Sequence, residues 1–241
     1  EHFQLGTLET VAGVAGGVLP LCLASASSGR LSTLRAAGVV PLVRVSTVDE
    51  PTVLEDLARS RAQAGLPRPT PAEQVQALAA AKAREVASRT GAHEACAVLG
   101  CDSMLQVGEE VIGKPLTAQR ARERWAALRG RRATLHTGHT LIRTDDGRER
   151  HGVSSTVVRF ASPSEAEIEA YVATGEPLGC AGGFTLDGLG GAFVEGVEGD
   201  PHGVVGVSLP LLRLLLADLG VVWTSLWEAP VRDLPEEGPR P

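Results

Sequence analysis

Four short stretches of this 241-residue chain carry side chains that chemistry could use. The first is Ser25-Ala26-Ser27-Ser28-Gly29-Arg30, set where an apolar run gives way to a helical pattern. Small residues let backbone N–H groups approach an anion, hydroxyls donate, a helix N-terminus adds partial positive charge, and a guanidinium grips phosphate bidentately. Taken alone, these residues read as a plain Ser-rich helix cap. The second is Asp102, followed by Ser103, at the end of the apolar run 95–101. A carboxylate there is expensive unless it is used or paired, so general base, metal ligand and turn cap are all open readings. The third and fourth are Lys82, in an Ala-rich helical stretch, and Lys114, in Gly113-Lys114-Pro115. Either lysine taken singly reads as a solvated surface residue. As a set they say more: Arg30, Lys82 and Lys114 can neutralise a polyphosphate, while Glu50 and Asp102 can hold a divalent ion and a water.

Other chemistries lack their residues. The chain has no G-x-x-x-x-G-K-[ST], no G-x-S-x-G and no H-E-x-x-H, and Gly188-Leu189-Gly190-Gly191 lacks the dinucleotide-binding spacing. His136 and His139 stand three apart in a strand pattern, which puts them on opposite faces and argues for structural or surface roles over a shared metal. Cys22, Cys96, Cys101 and Cys180 form no C-x-x-C pair, so the expectation is free thiols in a reducing cytoplasm.

The elements that must position these residues alternate strand and helix. Residues 18–23 read as a buried strand, 30–37 as a helix ended by Gly38, and 39–48 as a second strand. Residues 49–71 show no clear period and read as a loop with at most one short helix. Thr70-Pro71-Ala72-Glu73 then opens a helix with an N-cap, a proline at the first position and a capping box. Val75, Leu78, Ala79, Lys82 and Val86 follow at helical spacing, and Gly91 stops it. The run 95–101 is a strand ending at Asp102, 107–112 a hairpin, and 117–129 a helix with Trp125 and Leu128 on its apolar face. Strands at 134–143 and 153–160 are joined through Asp145-Asp146-Gly147. Ser162-Pro163-Ser164-Glu165 reads as another capping box, its helix ending at Gly175. Gly-rich 181–191 leads to a strand at 192–197, and Ser208 caps a last helix through Leu219.

This alternation predicts an α/β fold, a central sheet flanked by helices, with a hairpin pair that departs from strict parallel order. Residues 1–17 are expected to be a disordered extension, 18–227 one two-lobed domain around a cleft, and 228–241 a disordered Pro/Glu/Arg tail. Hydrophobic residues at 43% and charged residues at 22% suit a globular chain, and aromatics at only 3% predict an aliphatic core. A net charge of −6 without a basic run argues against nucleic-acid polymers and membrane surfaces as partners. No window is apolar enough to span a membrane. The run 11–23 faintly imitates a signal peptide, but no Lys or Arg precedes Arg30, and glycines and Pro20 interrupt it.

Read together and in order, several blocks resemble one family. They are Leu23-Ala24-Ser25-Ala26-Ser27-Ser28-Gly29-Arg30, Val48-Asp49-Glu50, Ala81-Lys82-Ala83, Gly100-Cys101-Asp102-Ser103 and Gly113-Lys114-Pro115. Thr137-Gly138, the stretch 171–178, Ala181-Gly182-Gly183-Phe184, Gly188-Leu189-Gly190-Gly191 and Val204-Val205-Gly206 continue the series. Over residues 21 to about 221 the chain resembles the Maf family of nucleoside triphosphate pyrophosphatases, the septum formation proteins, in an actinobacterial-like variant that the Ala/Gly/Arg/Val-rich composition suits. The resemblance implies a two-lobed mixed α/β fold like that of inosine triphosphate pyrophosphatases, often dimeric. It also implies cleavage of the α–β phosphate bond with a divalent cation, Mg²⁺ or Mn²⁺. Asp102 takes the place of the family's proton acceptor, with Lys82 and Lys114 as catalytic cations. Glu50 and Asp102 would hold the metal, and Ser25, Ser27, Arg30, Ser103 and Asp187 would bind substrate. A nucleotide-binding regulator of septum formation and an orthophosphate-releasing phosphatase are the alternatives.

The chain also departs from the family pattern. Ser28 and Gly29 replace the Pro and first Arg of Ser-Pro-Arg-Arg, Gly-Ala-Asp-Thr becomes Gly-Cys-Asp-Ser, and Asp187 replaces the Gln of Gly-Ile-Gln-Gly. Gly179 and Cys180 replace an Asp-Lys pair. Gly29, Ser103 and Asp187 correspond to positions that distinguish pyrimidine-preferring members, and an ionised Asp187 cannot donate a hydrogen bond as Gln can. The resemblance therefore carries the reaction and leaves the dTTP/UTP preference behind.

Overall fold

Three long strands set the frame of the computed structural model, which describes residues 19–91 and 94–227. The expectations for residues 1–17, Val18 and 228–241 lie outside the described residues. In chain order the elements are β1 Leu21–Leu23, α1 Ser28–Ala36, β2 Leu42–Val43, α2 Glu50–Gln63, α3 Pro71–Ser88, β3 Ala97–Val107, β4 Glu110–Ile112 and α4 Ala118–Leu128. Then come β5 Arg132–Arg143, β6 Glu149–Phe160, α5 Glu165–Ala173, β7 Val194–Glu198, α6 Pro201–Val205 and α7 Leu209–Asp218. The seven strands form one mixed sheet in the order β2-β1-β3-β5-β6-β7, with β4 paired to β3. Only β1 pairs in parallel, with β2 and β3; the β3-β5-β6-β7 run is antiparallel, as the 143–149 hairpin requires.

Because β3 and β5 are 11 and 12 residues long, they reach from one apolar cluster to another at the far end of the sheet. At one end Leu99, Cys101 and Leu141 pack with Leu34 of α1 and Leu212, Leu215 and Leu216 of α7. At the other, Leu105, Leu135 and Val158 pack with Trp125 of α4 and Tyr171 of α5. The second cluster corrects the expectation of an aliphatic core. Trp125, Phe160, Tyr171, Phe184 and Phe193 are five of the chain's eight aromatics, and edge-to-face contacts such as Trp125–Phe160 at 5.6 Å gather them there.

Several boundaries differ from the sequence reading, each for a physical reason. The segment read as a loop at 49–71 contains the 14-residue α2, which buries no residue completely and so leaves no strong apolar stripe. Its Val53, Leu54, Leu57 and Arg61 are half-buried at helical spacing, and Arg61 is tied to Glu73 of α3 at 2.7 Å. The second strand shrinks to Leu42–Val43, because its partner among the described residues, β1, is three residues long. The 162–165 capping box is instead Ser164 with Glu167. Ala161 is still held by backbone hydrogen bonds with Phe193 and Gly130, so the helix starts later. The largest correction concerns Asp102: β3 continues to Val107, so the carboxylate lies in mid-strand rather than at a strand end.

Candidate active site

An acidic residue in mid-strand needs both a counter-charge and room. The room comes from strand pairing along one edge of β3. On that edge β1 pairs only as far as Leu99, where Ala24 N–H makes the last bond at 2.9 Å, and β4 pairs only from Leu105 onward. Residues 101–103 between them have no strand partner on that side among the described residues.

The counter-charge comes from α3, which lies directly on the sheet. A Cβ at Gly138, the residue paired with Asp102, would stand 2.3 Å from Val75 O, and one at Gly100 would stand 2.2 Å from Ala79 O. Glycine at both positions lets the helix backbone touch the strands, a close approach that no other residue allows. From α3, Lys82 Nζ reaches Asp102 Oδ1 at 2.6 Å and Glu50 Oε1, at the start of α2, at 2.8 Å. Lys82 and Asp102 are nearly buried, whereas the Glu50 side chain is 50% exposed. Burial pushes the Asp102 carboxyl above its ordinary value, and Lys82 followed by Arg30 pulls it back in part. Lys82 uses one oxygen of each carboxylate; among the described residues Asp102 Oδ2 and Glu50 Oε2 accept no hydrogen bond. No cluster of three or more His, Cys, Asp or Glu suited to a metal occurs among the described residues. Two carboxylates with free oxygens nevertheless suit Mg²⁺, which takes one or two carboxylates and fills its sphere with water and substrate phosphate.

The other face of β3 presents Ser103 to Arg30, since successive strand residues alternate. Arg30 Nη1 donates to Ser25 Oγ at 2.9 Å and Cys101 O at 3.3 Å, and Nη2 donates to Ser103 Oγ at 3.1 Å. Ser27 caps α1, its Oγ accepting Arg30 N–H at 3.3 Å. The Ser-rich stretch is therefore a helix cap, as its composition alone suggested, and also the seat of a guanidinium. Gly29 packs beside Val205 and brings no charge.

Seven of the nine site residues named from the sequence thus surround one gap: Ser25, Ser27, Arg30, Glu50, Lys82, Asp102 and Ser103. Lys114 and Asp187 are exposed, and among the described residues no hydrogen bond or ion pair links them to the gap. Both act instead on Cys180, whose thiol is pushed up by burial, then by Glu176 and Asp187, and lowered by Lys114. Gly113 O accepts Gly182 N–H at 3.3 Å, fixing the Lys114 segment to the Gly-rich loop.

Sequence reasoning missed the residue that shapes that loop. Glu176 accepts Tyr171 O–H at 2.9 Å, Leu189 N–H at 3.0 Å, Gly190 N–H at 3.1 Å and the Thr185 hydroxyl. Burial alone would raise its pKa, but these donors hold it below the usual value. Its position in a matching block, beside Gly175 with φ of 77°, was the only available signal. The histidines are structural as expected. His136 bonds Gln106 and Ser155, and His139 bonds Thr137 O and Ser208 N–H, with burial pushing His139 down to about 4. All four cysteines are free thiols.

The chain is similar to known proteins over most of its length. Residues 20–219 match the family model described as Maf-like protein. The chain is 53% identical over 214 residues to a nucleoside triphosphate pyrophosphatase of Saccharopolyspora erythraea, covering 87% of this chain and 97% of that protein. It is 50% identical over 211 residues to the protein of that name from Rhodococcus opacus, covering 85% and 94%. The Streptomyces coelicolor protein of the same name is 50% identical over 213 residues, covering 88% and 96%.

Proposed function

This chain belongs to the Maf-like protein family, and from that membership we propose that it hydrolyses nucleoside triphosphates to nucleoside monophosphate and pyrophosphate. The observation that carries the mechanism is the buried Asp102 carboxylate held between Lys82 and an open stretch of strand edge. Asp102 accepts a proton from the attacking water as its oxygen bonds to the α-phosphorus. The bond from that phosphorus to the α–β bridging oxygen breaks, and pyrophosphate leaves with the electron pair. Lys82 favours the ionised form of Asp102 and so offsets part of the cost of burial. Arg30 meets the charge that gathers on the leaving group, and Lys114, from the neighbouring loop, would add to it where the bound polyphosphate reaches that loop. Ser25 and Ser27 hold Arg30 and the start of α1, while Ser103 faces the gap and Asp187, on the Gly-rich loop, would meet the part of the substrate that reaches that loop. Glu50 and Asp102 would hold Mg²⁺ or Mn²⁺ through their free oxygens, and the ion, when bound, supplies positive charge to phosphate oxygens.

Purified protein with Mg²⁺ or Mn²⁺ should release pyrophosphate from members of a panel of standard and modified triphosphates. Asp102→Asn should reduce that rate by about 10²–10⁴-fold. Absence of pyrophosphate across the panel, or an Asn variant as active as the parent, ends this reading; orthophosphate as the product points to a phosphatase instead. Such an enzyme could clear modified nucleotides before polymerases use them. Gly29, standing where the family carries an arginine, favours one other reading, a nucleotide-binding regulator of septum formation. Nucleotide binding without turnover and a division phenotype indifferent to Asp102→Asn would identify it.

Free thiols support a cytoplasmic location, and no described helix is long and apolar enough to cross a membrane. Half-exposed Val40, Leu42, Val43 and Val45 along the β2 edge of the sheet support a homodimer, which sedimentation equilibrium would test.

A further inference from the structure

Beneath Arg30 lies a chain of hydroxyls whose hydrogen positions follow from donor counting. Thr137, fully buried on β5 opposite Ser103, donates its single hydroxyl proton to Gly203 O, a pure acceptor, at 3.0 Å. The 2.9 Å contact between Thr137 Oγ1 and Ser103 Oγ must then take its proton from Ser103. That turns a lone pair of Ser103 Oγ toward Arg30 Nη2 at 3.1 Å. With Nη1 spent on Ser25 Oγ and Cys101 O, three of the five guanidinium N–H groups are committed. The two without a partner among the described residues sit on neighbouring nitrogens, Nε and Nη2, a pair that a phosphate can accept together. Gly206, where a Cβ would stand 3.2 Å from Arg30 Nε, lets the backbone pack closely against that edge of the group.

We propose that Thr137 is a positioning residue for phosphate binding: anchored on Gly203 O, it orients the Ser103 hydroxyl, and through it fixes the Arg30 guanidinium with two N–H groups free for substrate. This rests on the reading above of Arg30 as a cation facing the phosphates. The burden on that one side chain is heavy, because Gly29 supplies no second guanidinium beside it. Thr137→Val keeps the shape and removes the anchor. Ser103 then loses its acceptor and can turn its proton toward Arg30, where a donor faces a donor. Thr137→Ser keeps the hydroxyl.

The test measures steady-state pyrophosphate release and, by calorimetry, the affinity for inorganic pyrophosphate with Mg²⁺, in T137V and T137S, each alone and combined with R30A. T137V should lower kcat/KM and pyrophosphate affinity about tenfold, and T137S less than about twofold. In the R30A background T137V should change either quantity less than about twofold, since its effect passes through the missing group. Equal losses with and without Arg30 would show a merely structural role and overturn the proposal. T137S as impaired as T137V, or a parent that binds no pyrophosphate, would overturn it too. A parent that binds pyrophosphate but releases none from any triphosphate defeats the hydrolase reading alone, and the binding measurements then decide this inference. Should T137V fail to fold, S103A cuts the same chain one link nearer Arg30 and must show the same non-additivity with R30A.

Discussion

The Asp102 carboxylate is governed by two opposed effects, and a substitution can separate them. Burial raises its pKa above the ordinary 3.8, the ammonium of Lys82 lowers it, and the burial effect wins. A general base works only when ionised, so activity falls as pH drops through this raised value. Lys82→Met removes the lowering influence while keeping the length of the chain. The acid limb of kcat/KM should therefore move to higher pH, on top of an overall loss of about tenfold or more. A pH–rate profile on parent and variant checks this. An acid limb that stays in place while the rate falls would show that Lys82 acts on the phosphates alone. The Asp102–Lys82 pairing was only partly legible in the sequence. Lys82 stood out as a charge on an Ala-rich helix, but nothing in the nineteen residues between it and Asp102 showed which carboxylate it would meet. Glu50 and Asp102 were equally available, and Lys82 binds both.

At the scale of elements, the site depends on how closely α3 approaches the sheet. Gly138→Ala would put a methyl 2.3 Å from Val75 O, backbone that cannot rotate away, so the helix must lift. The expected cost is about 1–3 kcal/mol of stability. Lys82, two turns along the same helix, would be drawn off Asp102, and pyrophosphate release should fall further than an equally destabilising core substitution remote from α3. Urea unfolding and steady-state rates on the same preparations test this; matched losses in both variants would remove the special role of the contact. α3 itself was readable in advance because its signals are local: Thr70 and Glu73 make the reciprocal capping box found in the structure. α2 was not, because Asp49 makes no side-chain cap and no residue of the helix is fully buried. The real extent of β3 was hidden for a different reason. Its first half is buried on both faces, its second half on alternating positions, and the change of pattern falls at Asp102 and looks like an end.

For the whole molecule, composition described averages that the fold does not respect. Aromatics at 3% hold together one end of the sheet, and a net charge of −6 coexists with Arg30 and Lys82 beside the gap in β3. The ordered series of family-like blocks was legible because it spans both ends of the sheet, whereas no single block showed that the ends share strands. That sharing has a mechanical consequence. Since β3 and β5 run unbroken through the aliphatic and the aromatic clusters, neither cluster can unfold and leave the other its strands, and residues 19–227 should behave as one cooperative unit. Leu216→Ala, fully buried in the aliphatic cluster, should cost about 2–5 kcal/mol through the cavity it leaves. Trp125 lies in the aromatic cluster, its Nε1–H bonded to Gly183 O at 2.8 Å. With Trp223 and Trp227 changed to Phe, it is the only indole left in the chain. In that background its fluorescence transition should coincide with the far-UV circular dichroism transition, and Leu216→Ala should move both by the same amount. A Trp125 transition that stays put while the dichroism shifts would divide the molecule into two units meeting at Asp102, with the site on a joint rather than on a rigid frame.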